Sequence, residues 1–291
     1  MTSRSQSPRR FGSLWRRLTR GTRWTWLDPR YAKALPADLE EQVMGLDARD
    51  RLHAKQGRST ARVVFHGPDG PVSVYLKRHF RLPWAERLAA LVHPAGHHTP
   101  GAAEFAHLDR ARALGLTVPD VVAAGERLGP WGHVQSFLMV AELTGALALH
   151  EAIPVLAETL EPRRFERLKR VLARRMAEAT ARLHVAHAFH KDLYLCHFYV
   201  NMTEAQQPDS EPGITVIDLH RLGVHRWLSA RWRWKDLGQL LYSTEGVNGL
   251  SRRDALRFFV HYRRLTHLRW PRWQARMIVL KAERYLRHNT S

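Results

Sequence analysis

Five side chains along the sequence have the types and spacing that phosphoryl transfer requires. The reaction needs a cation on the donor phosphates, a group that holds this cation, ligands for Mg²⁺ and a carboxylate beside the acceptor hydroxyl. Lys77, at the end of a predicted strand, and Glu104, in the following helix, could supply the first two. Asp192 could orient the acceptor hydroxyl, and His197 and Asp218 could bind Mg²⁺. Their order and spacing predict a Mg²⁺-dependent phosphotransferase.

The pattern of apolar residues predicts a strand that ends at Lys77 and a helix that contains Glu104. Residues 62–65 and 72–77 flank the turn Gly67-Pro68-Asp69-Gly70 and predict a β-hairpin. Helical spacing of apolar residues around Glu104 then predicts a helix that Gly115 and Pro119 end. Extended segments at 121–123 and 136–140 follow, so the first half is mostly sheet with one helix.

The second half brings the two aspartates to one hairpin. A long amphipathic helix at 165–183 leads to His190-Lys191-Asp192. Two short strands are predicted at 198–202 and 214–219, joined by a loop at 203–213. Asp192 precedes this hairpin and Asp218 ends it, while the rest of the chain, to His288, is mostly helical.

These elements predict an α+β, bilobal, protein-kinase-like fold. We expect a basic N-terminal extension at 1–50, a small antiparallel-sheet lobe at 51–143 and a helical lobe with the catalytic loop at 144–291. In the extension, Phe11, Leu14, Trp15 and Leu18 have helical spacing among arginines, which is typical either of a helix on an anionic membrane or of a segment packed on its own domain.

Four stretches resemble the lipopolysaccharide core kinases of the Kdo/WaaP type, which are sugar kinases with a protein-kinase-like fold. They are EFAHLDRARALGLTVP (104–119), HKDLYLCHFYV (190–200), VIDLHR (216–221) and RWRWKDLGQLLYS (231–243). The resemblance covers about residues 50–265. It implies ATP as donor, a heptose hydroxyl of the lipopolysaccharide inner core as acceptor, Asp192 as catalytic carboxylate and Asp218 as principal metal ligand. It also implies Lys77 with Glu104 as the donor-phosphate pair. In kinase-like folds, the position of Asp236 holds a buried carboxylate that braces the catalytic loop.

Several positions depart from the wider kinase pattern. No GxxxxGK[ST] loop is present, and the best donor-binding turn is Gly57-Arg58-Ser59-Thr60, where backbone amides and Arg58 could cover the phosphates. Tyr75 lies where kinases usually keep a small residue against the adenine. His197 replaces the usual asparagine, and Leu219-His220 follows Asp218 where Phe-Gly is usual. Without that glycine, we expect no kinase-style switching of the segment.

Composition favours a folded protein with an anionic partner. The 291 residues are 44% hydrophobic, and 46 Lys and Arg against 27 Asp and Glu give a formal charge of +19. Cys196 is the single cysteine, which excludes an intrachain disulfide and fits a reducing compartment. No apolar run suits an export signal or a membrane span. We therefore expect a cytoplasmic protein on the inner face of the inner membrane, with the core glycolipid and the anionic membrane surface as partners.

Other functions remain open from the residues. Two histidine groups, His93, His97 and His98, or His184, His187 and His190, could suggest zinc, although neither has a convincing ligand pattern. The interleaved Trp and Arg residues of 227–234 could contact nucleic acid, but they fall inside a family-like stretch, so we expect no nucleic-acid partner. A kinase-like protein acting on another small molecule or on protein, or an inactive membrane-bound scaffold, stays possible.

Overall fold

The chain is described by a computed structural model that covers residues 19–46, 51–55, 57–80, 84, 99–129, 134–267 and 272–289. It divides into two compact units. The first comprises Met1–Leu108 with Asp120–Glu142, and the second comprises Asp109–Pro119 with Leu143–Ser291.

The described strands of the first unit form one antiparallel sheet. They are β1 Thr22–Leu27, β2 Arg51–Lys55, β3 Arg58–Gly67, β4 Gly70–His79, β5 Val121–Leu128 and β6 Val134–Ala141, arranged in the order β1-β5-β6-β4-β3-β2. The described α-helices of this part of the chain are α1 Leu39–Gly45 and α2 Pro100–Ala113, and α2 continues past Leu108 into the second unit. Residues 22–27 belong to this sheet, although the sequence had placed them in the extension before residue 51.

Strand β4 shows how the alternation of its residues divides the two faces of the sheet. Val74 and Leu76 are fully buried in a core cluster that includes Leu39 and Val43 of α1. Successive strand residues point to opposite faces. Lys77, the neighbour of Leu76, therefore points away from this cluster, on the same face as Tyr75.

Arg78 shows how the first unit buries a cation. Its guanidinium donates to the carbonyls of Val43 and Leu46 at 3.0 and 2.6 Å, and to the hydroxyl of Ser59 at 3.1 Å. The last carbonyls of a helix lack partners within the helix, and a basic side chain there satisfies them. The buried arginine therefore fixes the end of α1 against the sheet.

The second unit is mostly helical. Its described elements are β7 Ala146–Ala148, α3 Leu149–Thr159, α4 Pro162–Val185, β8 Ala188–Phe189, β9 Phe198–Asn201, α5 Met202–Gln206, β10 Thr215–Val216, β11 Gly223–Val224, α6 Ser229–Tyr242, α7 Arg252–Thr266 and α8 Arg272–Asn289. β9 pairs with β7 and β10, and β11 pairs with β8. None of the helices in the described part of the chain is long and apolar enough to cross a membrane.

The predicted α+β class is confirmed. One local prediction is wrong, and another falls outside the described residues. The predicted hairpin, the helix around Glu104, the long helix α4 and the helical C-terminal region are all present. Residues 203–213 are not loop throughout, because the side chain of Asn201 accepts a hydrogen bond from the Glu204 amide and begins the short helix α5. The predicted amphipathic helix at Phe11–Leu18 lies outside the described residues.

Candidate active site

Lys77 and Glu104 form an ion pair within the first unit. The Lys77 Nζ lies 2.6 Å from Oε1 of Glu104, whose side chain is only 5% exposed. Lys77 pairs in the sheet with Leu138 of β6 and with Thr60 of β3, which fixes its backbone from both sides. A buried carboxylate that contacts the ammonium holds this cation in one place.

The other two expected donor-side residues lie on the same hairpin. Arg58 begins β3 at an exposed position, two residues before Thr60, and Gly57 before it has a φ of 79°. Tyr75 packs near Glu142, with 3.5 Å between the hydroxyl and Oε1, and burial raises the pKa of this tyrosine. The structure thus places Arg58, Lys77 and Tyr75 on paired strands.

Asp236 anchors the catalytic loop at its start. This fully buried carboxylate of α6 accepts hydrogen bonds from the backbone amides of His190 and Lys191, both at 2.8 Å. Lys191 has a φ of 69°, a left-handed conformation that few non-glycine residues adopt. Two backbone hydrogen bonds to one carboxylate hold this turn in place. The predicted bracing role of Asp236 is confirmed by these contacts.

A buried histidine supports Asp236 from behind. His184 of α4 lies with Nε2 3.2 Å from Oδ2 of Asp236 and Nδ1 2.8 Å from the hydroxyl of Tyr262 on α7. Burial lowers the pKa of His184 and raises the pKa of Tyr262, so both are neutral near pH 7. His184 then donates to Asp236 and accepts from Tyr262, linking α4, α6 and α7 beneath the loop.

Asp192 lies among basic and amide side chains. Arg221 Nη1 lies 3.1 and 2.9 Å from its two carboxylate oxygens, and Lys235 Nζ lies 3.8 Å from Oδ1. Gln239 donates to Oδ1 at 3.4 Å and to the hydroxyl of Tyr194 at 2.8 Å. The Asp192 side chain is 15% exposed, so an acceptor hydroxyl could still approach it.

His197 links Asp192 to Asp218. Its Nδ1 lies 2.7 Å from the backbone carbonyl of Asp192, an acceptor, so Nδ1 carries the proton. In the neutral ring, the lone pair is then on Nε2, which lies 3.6 Å from Oδ2 of Asp218. Asp218 has a φ of 60°, and its Oδ1 lies 2.7 Å from Nδ1 of His220. Asp192, His197 and Asp218 are therefore brought together as expected from their spacing.

The Asp218 region fits an ion that arrives with a phosphate compound. No group of three or more His, Cys, Asp or Glu side chains in the described residues is arranged to hold a metal. Mg²⁺ usually keeps several waters and takes one or two protein carboxylates together with substrate phosphates. The Asp218 carboxylate fits this pattern, with further ligands supplied by substrate and water, whereas the neutral imidazole of His197 is a poorer ligand for Mg²⁺ than an oxygen.

Sequence reasoning missed the residues that surround Asp192. Arg221 ends the VIDLHR stretch and Lys235 directly precedes Asp236, yet neither carried a predicted contact with Asp192. Gln239, one turn after Lys235 on α6, was also missed; its helical spacing was the available signal.

The zinc alternative gains no support from the described histidines. His184 contacts Asp236 and Tyr262, whereas the ring of His190 lies 3.0 Å from the carbonyl of Ile217, to which Nε2 donates. These rings are used in hydrogen bonds that hold the loop. His93, His97 and His98 lie outside the described residues.

Most of the chain is similar to proteins of known function. A family model described as the lipopolysaccharide kinase (Kdo/WaaP) family matches residues 49–262. The lipopolysaccharide core heptose(I) kinase WaaP of Pseudomonas aeruginosa is 30% identical over 207 residues, covering 71% of this chain and 74% of that protein. An Escherichia coli protein of the same name is 34% identical over 160 residues, 55% of this chain and 58% of that protein.

A solved structure is similar over nearly the whole chain. It is that of WaaP in complex with acyl carrier protein, and it aligns with a TM-score of 0.66 and 29% identity. The alignment covers 90% of this chain and 98% of the other. The similarity supports the bilobal, kinase-like fold. The partner in that complex, an acyl carrier protein, is neither of the two partners expected here from the sequence.

Proposed function

Since this chain belongs to the lipopolysaccharide kinase (Kdo/WaaP) family, we propose that it transfers a phosphoryl group from ATP to a heptose hydroxyl of the lipopolysaccharide core. The observation that carries the proposal is the linked set Asp192, His197 and Asp218 at the end of the catalytic loop. The named relatives are heptose(I) kinases, which supports the choice of acceptor.

Each residue has a role that follows from its charge and contacts. Asp192 orients the acceptor hydroxyl and takes its proton. Lys77, held by Glu104, binds donor phosphates, and Arg58 covers them from the first position of β3. Asp218 and His197 would hold Mg²⁺, which neutralises charge on the transferring phosphate when it is bound. Catalysis on this proposal consists mainly of positioning and charge neutralisation.

The alternatives are a kinase for another acceptor and an inactive scaffold. Purified protein with ATP labelled at the γ-phosphate, supplied in parallel with core glycolipid, a generic protein substrate and duplex DNA, separates them. Label in the glycolipid alone supports the proposal. Label in protein substrate would replace the acceptor, and no label in any acceptor would favour the scaffold.

An acyl carrier protein is a further proposed partner. The related solved structure is a complex with such a protein. The second unit here contains a cavity of about 280 Å³ lined mainly by apolar side chains, among them Leu172, Met176, Leu240, Phe258 and Ile278. Acyl carrier proteins present a hydrocarbon chain on a flexible arm, and an apolar cavity is the environment that such a chain favours. We therefore assign the cavity to the acyl chain.

Filling the cavity should weaken the carrier complex. Ala275 lines it, so Ala275→Trp should remove the preference of the protein for an acylated carrier over the same carrier without its acyl chain. Retention on immobilised carrier measures this preference, and the melting temperature of the variant verifies folding. Equal retention of the wild type on both carriers would contradict the assignment.

We also propose that the protein binds the surface of the bilayer, on the inner face of the inner membrane. Between β11 and α6, Trp227 and Leu228 are 89% and 72% exposed, and Arg226 and Arg231 flank them. An apolar pair with basic neighbours is typical of a segment that inserts shallowly into an anionic interface. This chemistry matches the net charge of +19.

Removing the apolar pair should weaken membrane binding. Trp227→Ser with Leu228→Ser should reduce co-sedimentation with phosphatidylglycerol-containing vesicles by roughly 10-fold or more, because two large apolar groups no longer leave water. Val185→Ser, at another exposed apolar position, serves as the matched control. Equal binding of the double variant and the wild type would exclude this loop as the anchor.

A further inference from the structure

The catalytic carboxylate of the proposed reaction is surrounded by more positive charge than it can neutralise. Arg221 contacts both oxygens of Asp192, and Lys235 lies 3.8 Å from one of them. Lys235 also donates to the backbone carbonyl of Lys191, whose own side chain lies nearby over the ring of Trp232. Two cations thus contact one carboxylate, and the charge of a third, Lys191, acts on both of them.

The ammonium of Lys191 lies over the ring of Trp232 and beside Gly223. Its Nζ lies 4.9 Å from the ring centre of Trp232, and that ring stacks on His225 with 4.7 Å between centroids. A Cβ added at Gly223 would lie 2.3 Å from the Lys191 Nζ. A side chain at 223 would therefore displace the Lys191 ammonium from its position beside Trp232.

The cluster carries an electrostatic cost in its free state. Burial lowers the pKa of Lys191, and the neighbouring Arg221 lowers it further. Burial likewise lowers the pKa of Lys235, with Arg221 and Lys191 acting in the same direction and Asp192 and Asp236 opposing them. Like charges held together in this way disfavour their own charged forms. An added anion would relieve that repulsion.

Arg221 is the most exposed member of the cluster. Its side chain is 54% exposed, whereas the Lys235 and Asp192 side chains are 20% and 15% exposed. Its guanidinium occupies both oxygens of the carboxylate that must accept the hydroxyl proton. Arg221 therefore competes with an acceptor hydroxyl for this carboxylate, and its withdrawal would leave the oxygens more accessible.

We propose that Lys191, Arg221 and Lys235 form a receptor for an anionic group, a carboxylate or phosphate, that the acceptor carries next to its reacting hydroxyl. Binding of this group draws Arg221 away from Asp192, and the freed oxygen then accepts the hydroxyl proton. The receptor rests on the proposed phosphotransferase function and deepens it, because it makes the enzyme select acceptors that are already charged. We assign the anion to the acceptor because Arg221 and Lys235 contact Asp192, the residue that faces the acceptor hydroxyl in the proposed reaction.

The test compares two matched acceptors with ATP as donor. One is a neutral heptose disaccharide, and the other is the same disaccharide with one hydroxymethyl group on the neighbouring sugar oxidised to a carboxylate. The wild type should favour the charged acceptor in kcat/KM by roughly 10- to 100-fold, the range expected for hydrogen bonds to charged groups. Arg221→Gln and Lys235→Met should each reduce this preference strongly, while the KM for ATP stays unchanged.

Controls separate the possible failures. Arg252→Gln removes a charge at an exposed position of α7 and should keep the wild-type preference. Arg221→Lys retains the charge and should recover part of it, and melting temperatures verify folding. A wild type that phosphorylates both acceptors equally would overturn the receptor but leave the phosphotransferase intact. A raised KM for ATP in Arg221→Gln would also overturn it, by assigning the cations to the donor phosphates. Transfer to neither acceptor, nor to the core glycolipid, would instead refute the proposed function.

Discussion

Replacing Asp192 with asparagine should lower turnover by about 10² to 10⁴-fold, the usual contribution of a positioned acid–base group. Asparagine keeps the shape of the side chain but cannot take a proton from the acceptor. The fold should survive, because Asp192 is on a loop and its cationic neighbours, Arg221 and Lys235, retain access to water. Steady-state kinetics with ATP and core glycolipid measure the effect.

A matched variant controls for the loss of a negative charge. Asp209→Asn removes a carboxylate that is 78% exposed in the same unit and pairs with Arg167. It should keep wild-type turnover. If Asp192→Asn retains turnover close to the wild type while its melting temperature is unchanged, Asp192 is not the residue that orients the acceptor.

Replacing Asp236 with alanine should lower the free energy of unfolding by about 3 to 5 kcal/mol, as expected when a buried charged partner is removed. Two backbone amides and the ring of His184 would lose their acceptor in a site without access to water. Turnover should fall as well, because the same amides fix the turn before Asp192. Denaturant unfolding and kinetics measure the two effects.

A second substitution at the same position should give a smaller loss of stability. Asp236→Asn keeps one carbonyl oxygen for the loop amides but turns an NH₂ group toward a further donor, so its loss of stability should be intermediate. If Asp236→Ala unfolds at the wild-type denaturant concentration and keeps full turnover, the bracing account of the loop is wrong.

The sequence predicted those parts of the site that depend on local spacing. Lys77 on a strand and Glu104 in the next helix could be matched because each element shows a clear period in its own residues. The ion pair between them then follows from the fold. Asp236 could be assigned its role because the block around it resembles a known family, and its contacts with the loop agree.

Contacts between distant segments could not be predicted in the same way. Strand β1 pairs with β5, about a hundred residues later, and its pattern gave no sign of that partner. Arg221 reaches Asp192 across 29 residues through a long, exposed side chain. The apolar cavity arises where α4, α6, α7 and α8 fail to fill the space between them. Each of these depends on tertiary packing, which local periodicity does not record.

The net charge does not indicate where on the protein an anionic partner binds. Several arginines are neutralised locally, for example Arg62 by Glu142 at 2.7 Å and Arg257 by Asp254 at 2.7 Å. Such pairs hold elements together, and the arginines in them are not the ones that would bind an anionic partner. The cations at Asp192 differ, because Arg221 and Lys235 share one carboxylate and Lys191 adds a third charge that acts on both. Local arrangement, more than total charge, therefore indicates where an anion binds.

The central claim is that Asp192, His197 and Asp218 transfer phosphate from ATP to a heptose. Two-dimensional ¹H–³¹P NMR of the core oligosaccharide, recovered after incubation with ATP and Mg²⁺, tests it most directly. The wild type should produce a phosphomonoester correlated with a heptose ring proton, and Asp192→Asn should produce almost none in the same time. A product without a heptose correlation, or equal product from both proteins, would contradict the account.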